Sequence, residues 1–201
     1  MFHGEPVAHR REEFEACLRP ILGPAYGTAL HLARHHEDAE DLVQEAAVQA
    51  FCHFDRFQSG TNFKAWFFKI LVNLFLNTYR KQQRAPETVP LEDASDLYLY
   101  TQTRQLGLHA RSPDPATLVL AKLDAEQITA ALASLPKEYR LVCALYFREE
   151  FSYEEIAAIA NCPIGTVRSR LHRGRKLLQK ALWQMAEEHG IVDALRDQGA
   201  G

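Results

Sequence analysis

Apolar residues recur along this chain at intervals of three and four positions, and Val, Ile and Thr never alternate with polar residues over a strand's length. That pattern predicts helices throughout and no sheet. A first helical stretch runs from about residue 10 to 35, with a bend near Pro20 or Gly23-Pro24, where a proline removes a backbone donor. Asp38 is the expected N-cap of a second helix reaching about Phe54. Phe57–Thr61 reads as a loop, and Asn62 as the cap of a third helix reaching about Arg84. The third helix carries Phe63, Trp66, Phe67, Ile70, Leu71, Leu74 and Phe75, enough large side chains to organise a small bundle, with Trp66 and Phe67 expected in its core.

Residues 85–115 break the pattern. Pro86, Pro90, Pro113 and Pro115 bound a segment with four acids between 87 and 96. Extended, such a segment reaches roughly 100 Å, and it reads as a linker between two domains. A second helical block is expected from Ala116, through Leu135-Pro136, a proline suited to the first turn of a new helix. The chain therefore divides into a helical domain over 1–84, a flexible linker over 85–115, a second helical domain over 116–188 and a tail over 189–201. The predicted class is all-α.

Residues 152–178 carry the sharpest local signal. Ser152 and Glu155 have the spacing of a capping box, and Ile156, Ala157, Ile159 and Ala160 form an apolar stripe that Asn161-Cys162-Pro163 interrupts. From Thr166 a second helical period begins. At 100° per residue, Val167, Leu171, Gly174 and Leu178 share one side, while Ser169, His172, Arg173 and Lys176 share the other, flanked by Arg168, Arg170 and Arg175. Between 163 and 180 there are six Lys/Arg and no acid. A capped apolar helix, a tight turn and a basic helix make a helix-turn-helix, whose second helix fits the major groove of DNA.

Net charge runs against simple DNA binding. The 201 residues carry a formal charge of −3, whereas a protein that grips DNA unaided draws much of its affinity from neutralising phosphates. Basic charge is local, and acidic charge is gathered in 37–45 and 87–96, so the sequence predicts DNA at basic sites and a protein at an acidic one. With 47% hydrophobic and 24% charged residues, the chain resembles an ordinary soluble protein. It shows no signal-peptide core and no apolar run of 18 residues, so a cytoplasmic location is expected. Cys17, Cys52, Cys143 and Cys162 are widely spaced without a C-x-x-C pair and are expected as free thiols, three of them packing as small apolar groups. No cofactor, metal site or catalytic constellation is expected.

On a helical wheel of 38–54, Val43, Ala46, Ala47, Ala50 and Phe54 cluster on one face. Asp38, Asp41, Glu45 and Gln49 lie opposite, with Gln44 and Glu40 at the margins. Carboxylates at i, i+3 and i+7 form a line suited to arginines on a partner helix. Upstream of the third helix, Phe57, Gln58, Asn62 and Lys64 combine an aromatic, amides and a cation, as unpaired bases require. Asn73 interrupts the apolar run of that helix, and Arg80, Lys81 and Arg84 end it.

In order and spacing, DAEDLVQEAAVQAF (38–51), FDRFQSGTNFKAWFFKILVN (54–73), LPKEYRLVCALYF (135–147) and SYEEIAAIANCPIGTVRSRLHRGRKLL (152–178) resemble the extracytoplasmic-function (ECF) sigma factors of bacterial RNA polymerase. The likeness covers about residues 10–84 and 116–183. It implies two helical domains, called 2 and 4, joined by a variable linker. It implies that Asp38, Asp41, Gln44 and Glu45 contact the clamp helices of the largest catalytic subunit of core RNA polymerase, and that domain 4 meets the subunit carrying the flap. Phe57, Gln58, Asn62 and Lys64 would capture a base flipped from the −10 element. Asn73, Arg80, Lys81 and Arg84 would hold the melted strand and the duplex above it. Thr166, Arg168, Ser169, His172, Arg173 and Lys176 would read the −35 element. The linker motif DLYLY…RSPDP and the ending LLQKALWQMAEEHGIV resemble a subgroup held inactive by zinc-binding anti-sigma factors.

Under this reading the polymerase supplies bulk affinity and the chain supplies sequence choice. Two weak readers mounted on one enzyme then gain from effective concentration. One rival is a stand-alone dimeric helix-turn-helix regulator, which requires a palindromic operator and tight binding without polymerase. Another is a metal-dependent hydrolase using Asp38, Asp41, Glu45 and His35 or His36, which requires ligands converging from several elements.

Overall fold

The computed structural model describes residues 5–82, 102 and 122–197. Among them every regular element is helical. The linker read over 85–115, the start of the second block at Ala116 and Arg84 lie outside the described residues, Gln102 excepted.

α1 (Glu5–Leu18) and α2 (Leu22–Ala33) are separated by a 3-10 turn at Arg19–Ile21. Pro20 sits at the start of that turn, so the break in the first helical stretch falls at Pro20, and Gly23-Pro24 is absorbed into the first turn of α2. α2 ends on Arg34 in a left-handed conformation with φ 70°, its N–H returning to the Leu30 carbonyl.

α3 (His36–Cys52) begins two residues before the expected cap. Asp38 is not the N-cap. His35 occupies that position in extended conformation without a side-chain bond, and its carbonyl accepts from the Ala39 N–H. Glu37 and Asp38 instead lie in the first turn, where the helix dipole favours carboxylates. The helix also stops at Cys52, and Phe54–Arg56 forms a separate 3-10 turn. α4 (Phe63–Gln82) is capped as expected, the Asn62 Oδ1 accepting from the Ala65 N–H at 3.1 Å.

Two compact units are defined by chain contacts: Met1–Pro86 with Ala144–Val167, and Glu87–Cys143 with Arg168–Gly201. In the first, α2 packs on α3 and α3 on α4. Ala25, Ala29, Ala39, Ala46 and Ala50 are fully buried, and side chains this small let helices approach closely. Around them sit Phe67, Phe68, Leu71 and Val72, also fully buried. Each such phenylalanine is worth about 2–3 kcal/mol of transfer free energy. Trp66 departs from its expected place in the core: it is half-buried, at the edge of the aromatic cluster described below. The same unit includes a π turn at Ala144–Arg148 and α7 (Tyr153–Ile159), which packs on α4.

The second unit contains α5 (Ala125–Ser134), α6 (Lys137–Cys143) and α9 (Ile191–Asp197). Asp124 caps α5 in a full capping box with Gln127. Pro136 immediately precedes α6, and its carbonyl accepts from Tyr139 and Arg140. α8 (Ile164–Glu188) is the longest of the described helices, and the division between the units falls within it. Leu182, Trp183 and Ala186 of α8 form a core with Leu123, Ala131 and Val192. Part of the tail is thus structured, because Val192 contributes to that core.

Candidate nucleic-acid and partner interfaces

The acidic face of α3 is exposed from Asp38 to Glu45, and Gln49 beyond it is half-buried. Asp38, Asp41, Gln44 and Glu45 are all exposed, while Ala39, Leu42, Val43, Ala46 and Ala50 behind them are buried. Sequence reasoning missed Val48, which continues this line and is 62% exposed. An aliphatic side chain beside a row of carboxylates gives the face an apolar contact as well as charge. Among the described residues no three His, Cys, Asp or Glu side chains gather as the hydrolase reading requires, and His36 Nδ1 lies 2.9 Å from the Tyr26 hydroxyl.

Before α4 the chain builds an aromatic cluster. Phe57 stacks on Phe54 at 5.9 Å and 11°, meets Phe63 edge-on at 5.2 Å, and lies 5.4 Å from Trp66. Phe14 anchors the cluster from α1 through edge contacts to Phe51, Phe54 and Phe63. Gly60, at φ 88°, allows the loop to turn, since only glycine adopts that conformation without strain. Thr61 closes the turn by donating from its hydroxyl and its N–H to the Gln58 carbonyl. Phe57 and Trp66 remain half-buried and Gln58 exposed. Trp66 therefore packs beside Phe57 at the edge of the cluster, a position its large apolar side chain concealed in the sequence.

Along α4, positions 62, 69, 73 and 80 fall within about 20° of one line. Asn62 and Lys69 are exposed and Asn73 half-buried, with Asn62 and Asn73 about 16 Å apart along the axis. Lys69 was missed, although its seven-residue spacing from Asn62 marks it. Arg80 and Lys81 lie in the last turn of the helix. Lys64 stands apart from this line, because two residues turn it by about 200°.

Lys64 instead faces the segment before α7. Its Nζ donates to the Glu149 carbonyl oxygen at 2.9 Å and lies 2.9 Å from the Glu149 Oε2. Glu149 Oε2 takes no hydrogen bond and is held by the charge of Lys64. The Thr28 hydroxyl donates to Glu149 Oε1 at 2.8 Å. Arg148 lies 2.9 Å from His31 Nε2 through Nη1 and 3.5 Å from Glu149 Oε1 through Nε. Phe151 meets Phe68 edge-on at 5.2 Å, with Lys64 Nζ 5.0 Å from the Phe151 ring centroid. Finally, Asn62 donates through Nδ2 to Glu155 Oε1 at 2.8 Å.

The capping box expected at α7 is complete: Glu155 N–H donates to the Ser152 hydroxyl at 3.2 Å, and Ser152 N–H donates to Glu155 Oε2 at 2.9 Å. The Ser152 backbone bond is the main force holding the Glu155 carboxyl below its ordinary range, with Asn62 and Lys64 adding to it. Asn161 turns the chain at φ 48°. α8 starts at Ile164 and not at Thr166, because the Pro163 carbonyl accepts from Thr166 and Val167 and so closes a turn earlier.

Within α8, Val167 and Leu171 are buried, as is Gly174, while Arg168, Ser169, His172 and Arg173 are exposed. Thr166 and Lys176 are half-buried at the margins. One edge of the helix is thus committed to the fold and the opposite one presents cations and hydrogen-bonding groups. In helix-turn-helix proteins it is the polar side of the second helix that meets the groove.

Residues 18–85 match the Sigma-70 region 2 family, and residues 125–178 match Sigma-70 region 4. The ECF RNA polymerase sigma factor EcfG of Rhodopseudomonas palustris is 38% identical over 169 residues, which is 84% of each chain. The chain belongs to the ECF RNA polymerase sigma factors. The sigma-E factor of Escherichia coli is 34% identical, covering 70% of this chain and 72% of its own. Among solved structures, the sigma factor RpoE of Bartonella quintana, in complex with the anti-sigma factor NepR, aligns with a TM-score of 0.62. That match is 31% identical and covers 85% of this chain and 97% of the other. As a sigma factor, the chain acts in promoter-specific initiation of transcription, as the motifs of the two halves imply.

Proposed function

We propose that the chain divides initiation among three surfaces. Asp38, Asp41, Gln44 and Glu45 of α3 dock on the clamp helices of core RNA polymerase, with Val48 as an apolar neighbour. Phe57, Gln58, Asn62, Lys64 and Trp66 receive an unstacked base of the −10 element and its phosphate, and Lys69 and Asn73 track the melted strand, continued by Arg80, Lys81 and Arg84. Arg168, Ser169, His172 and Arg173, bordered by Thr166 and Lys176, read the −35 duplex. The exposure of that basic edge of α8 opposite buried Val167, Leu171 and Gly174 carries the reading.

Domain boundaries at 1–84 and 116–188, joined by 85–115, are part of the same proposal, supported by the extents of the region 2 and region 4 matches. Melting is driven by binding: trapping an unstacked base offsets the few kcal/mol that unstacking costs. No bond is made or broken by this chain, and no cofactor is needed. The relative solved with NepR supports an anti-sigma factor as a further partner; a zinc-binding partner rests on the linker and C-terminal motifs alone. Among the described residues no helix is long and apolar enough to cross a membrane, and we place the protein in the cytoplasm with its polymerase.

Run-off transcription with core polymerase and a promoter library tests the reading. Selective transcripts from promoters with paired −35 and −10 elements are expected. Tight, polymerase-independent occupancy of a palindromic site by a dimer would replace it with the stand-alone regulator.

A further inference from the structure

A buried carboxylate is costly unless it is paired. The Glu149 side chain is 1% exposed, and its partners come from two helices of the N-terminal half, Thr28 from α2 and Lys64 from α4. The neighbouring residues are fitted as closely. Arg148 reaches His31, and its guanidinium crosses Gly27, where any β-carbon would collide with it. Phe151, 3% exposed, lies on fully buried Phe68. Glu155 takes the Asn62 amide. Four side chains of one short segment thus have matched receptors on α2 and α4, combining an ion pair, an aromatic contact and a notch cut by a glycine. Such a seat is built for its occupant.

The groups it occupies are those assigned above to the promoter strand. A carboxylate on the Asn62 amide replaces a base-edge acceptor, and a carboxylate beside the Lys64 ammonium replaces a phosphate. We infer that the segment Arg148–Glu155 is an intramolecular competitor of the melted −10 strand. With the segment seated, Asn62 and Lys64 are engaged, and reading the strand requires its release. The inference rests on the assignment of Asn62 and Lys64 to that strand. The segment ends in the first turn of α7, the first helix of the helix-turn-helix, so release frees the strand-binding end of α4 and loosens the arm that precedes the −35 reader.

Two measurements on the full-length chain test this. The first is the acetylation rate of Lys64, followed by peptide mass spectrometry. The second is the affinity for a fluorescein-labelled single-stranded DNA oligonucleotide, followed by anisotropy. Both are made on the native chain and on two opening variants, Glu149→Gln, which removes the buried charge, and Gly27→Ala, which displaces the Arg148 guanidinium and keeps every acid. Glu12→Gln controls for the loss of one negative charge at an exposed site.

Lys64 is expected to react several-fold faster in the opening variants. The oligonucleotide is expected to bind about tenfold tighter, which corresponds to a seated fraction of about nine-tenths in the native chain. Asn62→Ala in the opened background should abolish the gain. Equal Lys64 reactivity in native and opened chains overturns the inference. So does faster labelling with unchanged affinity where Asn62→Ala still weakens binding, since the site then reads DNA without competition. If Asn62→Ala and Lys64→Ala leave binding unchanged even in the opened chain, the assignment of these residues to the strand fails, and the competitor falls with it. Should Glu149→Gln lose its helical circular dichroism, Gly27→Ala decides the matter alone.

Discussion

Gly174 lies against Cys143 so closely that a β-carbon at residue 174 would come within 2.5 Å of the Cys143 Sγ and 3.4 Å of the Tyr139 Cβ. The missing side chain is what lets α8 approach α6. Gly174→Ala should therefore destabilise the protein by about 1–3 kcal/mol through overpacking, despite the better helix propensity of alanine. Removing the sulfur in Gly174→Ala/Cys143→Ala should recover part of the loss, so the two effects are not additive. Urea unfolding of the native chain, both single variants and the pair checks this; strict additivity would remove the contact from the account.

Cys143 is fully buried, and that burial pushes its thiol up to about 12 against the opposing charge of Arg175. Since the thiolate is the nucleophile, Cys143 should stay unmodified by maleimide at pH 8 in the folded chain. Cys52, which is exposed, should react first. Peptide mapping before and after addition of denaturant reads the order, and early labelling of Cys143 would contradict its burial.

The acidic face of α3 should tolerate reversal without loss of fold. Asp41→Lys/Glu45→Lys changes two exposed side chains, and surface changes of this kind are usually within about 0.5 kcal/mol each. Binding to core polymerase, measured by pull-down, should nevertheless fall sharply. Retention of polymerase by the double variant would make the face a solvated surface only. Val48→Ala should weaken the same binding more modestly, at unchanged salt dependence.

Much of this architecture could be read from residue order. Asn62 and Ser152 cap where their spacing said they would, because a polar side chain one turn from a free N–H needs no tertiary help. The apolar edge of α8 was legible from its period. Less legible were features set by neighbours distant in sequence. Nothing about Asp38 reveals that the His35 carbonyl closes the first turn of α3 instead. Trp66 looks like core until Phe57 is seen to leave it at an edge. Lys64 looks like an unengaged surface cation until Glu149, 85 positions away, is found beside it. Glu149 itself carried no signal, since nothing local separates it from the adjacent Glu150.

Arg173 is exposed on the edge of α8 opposite buried Val167 and Leu171. Arg173→Ala should weaken recognition of the −35 element by ~1–3 kcal/mol and relax base preference at one position. Promoter-library transcription distinguishes the two effects. A uniform fall across all sequences would make Arg173 a phosphate contact, and an unchanged preference would remove it from the reading edge.

Glu155 links acid stability to the start of the helix-turn-helix. Its folded-state carboxyl lies below the ordinary value of 4.5, chiefly through the Ser152 backbone bond. A depressed carboxyl binds protons less readily when folded than when unfolded, so its contribution is fully present above 4.5 and is lost as pH falls through the lower folded value. Glu155→Gln keeps an amide oxygen for the cap but has no charge to titrate. The stability gap between native chain and variant should therefore be constant from neutral pH down to about pH 5 and narrow below it. Urea unfolding at a series of pH values measures that gap. A gap that stays constant to pH 3 would mean the charge on Glu155 does nothing for the cap.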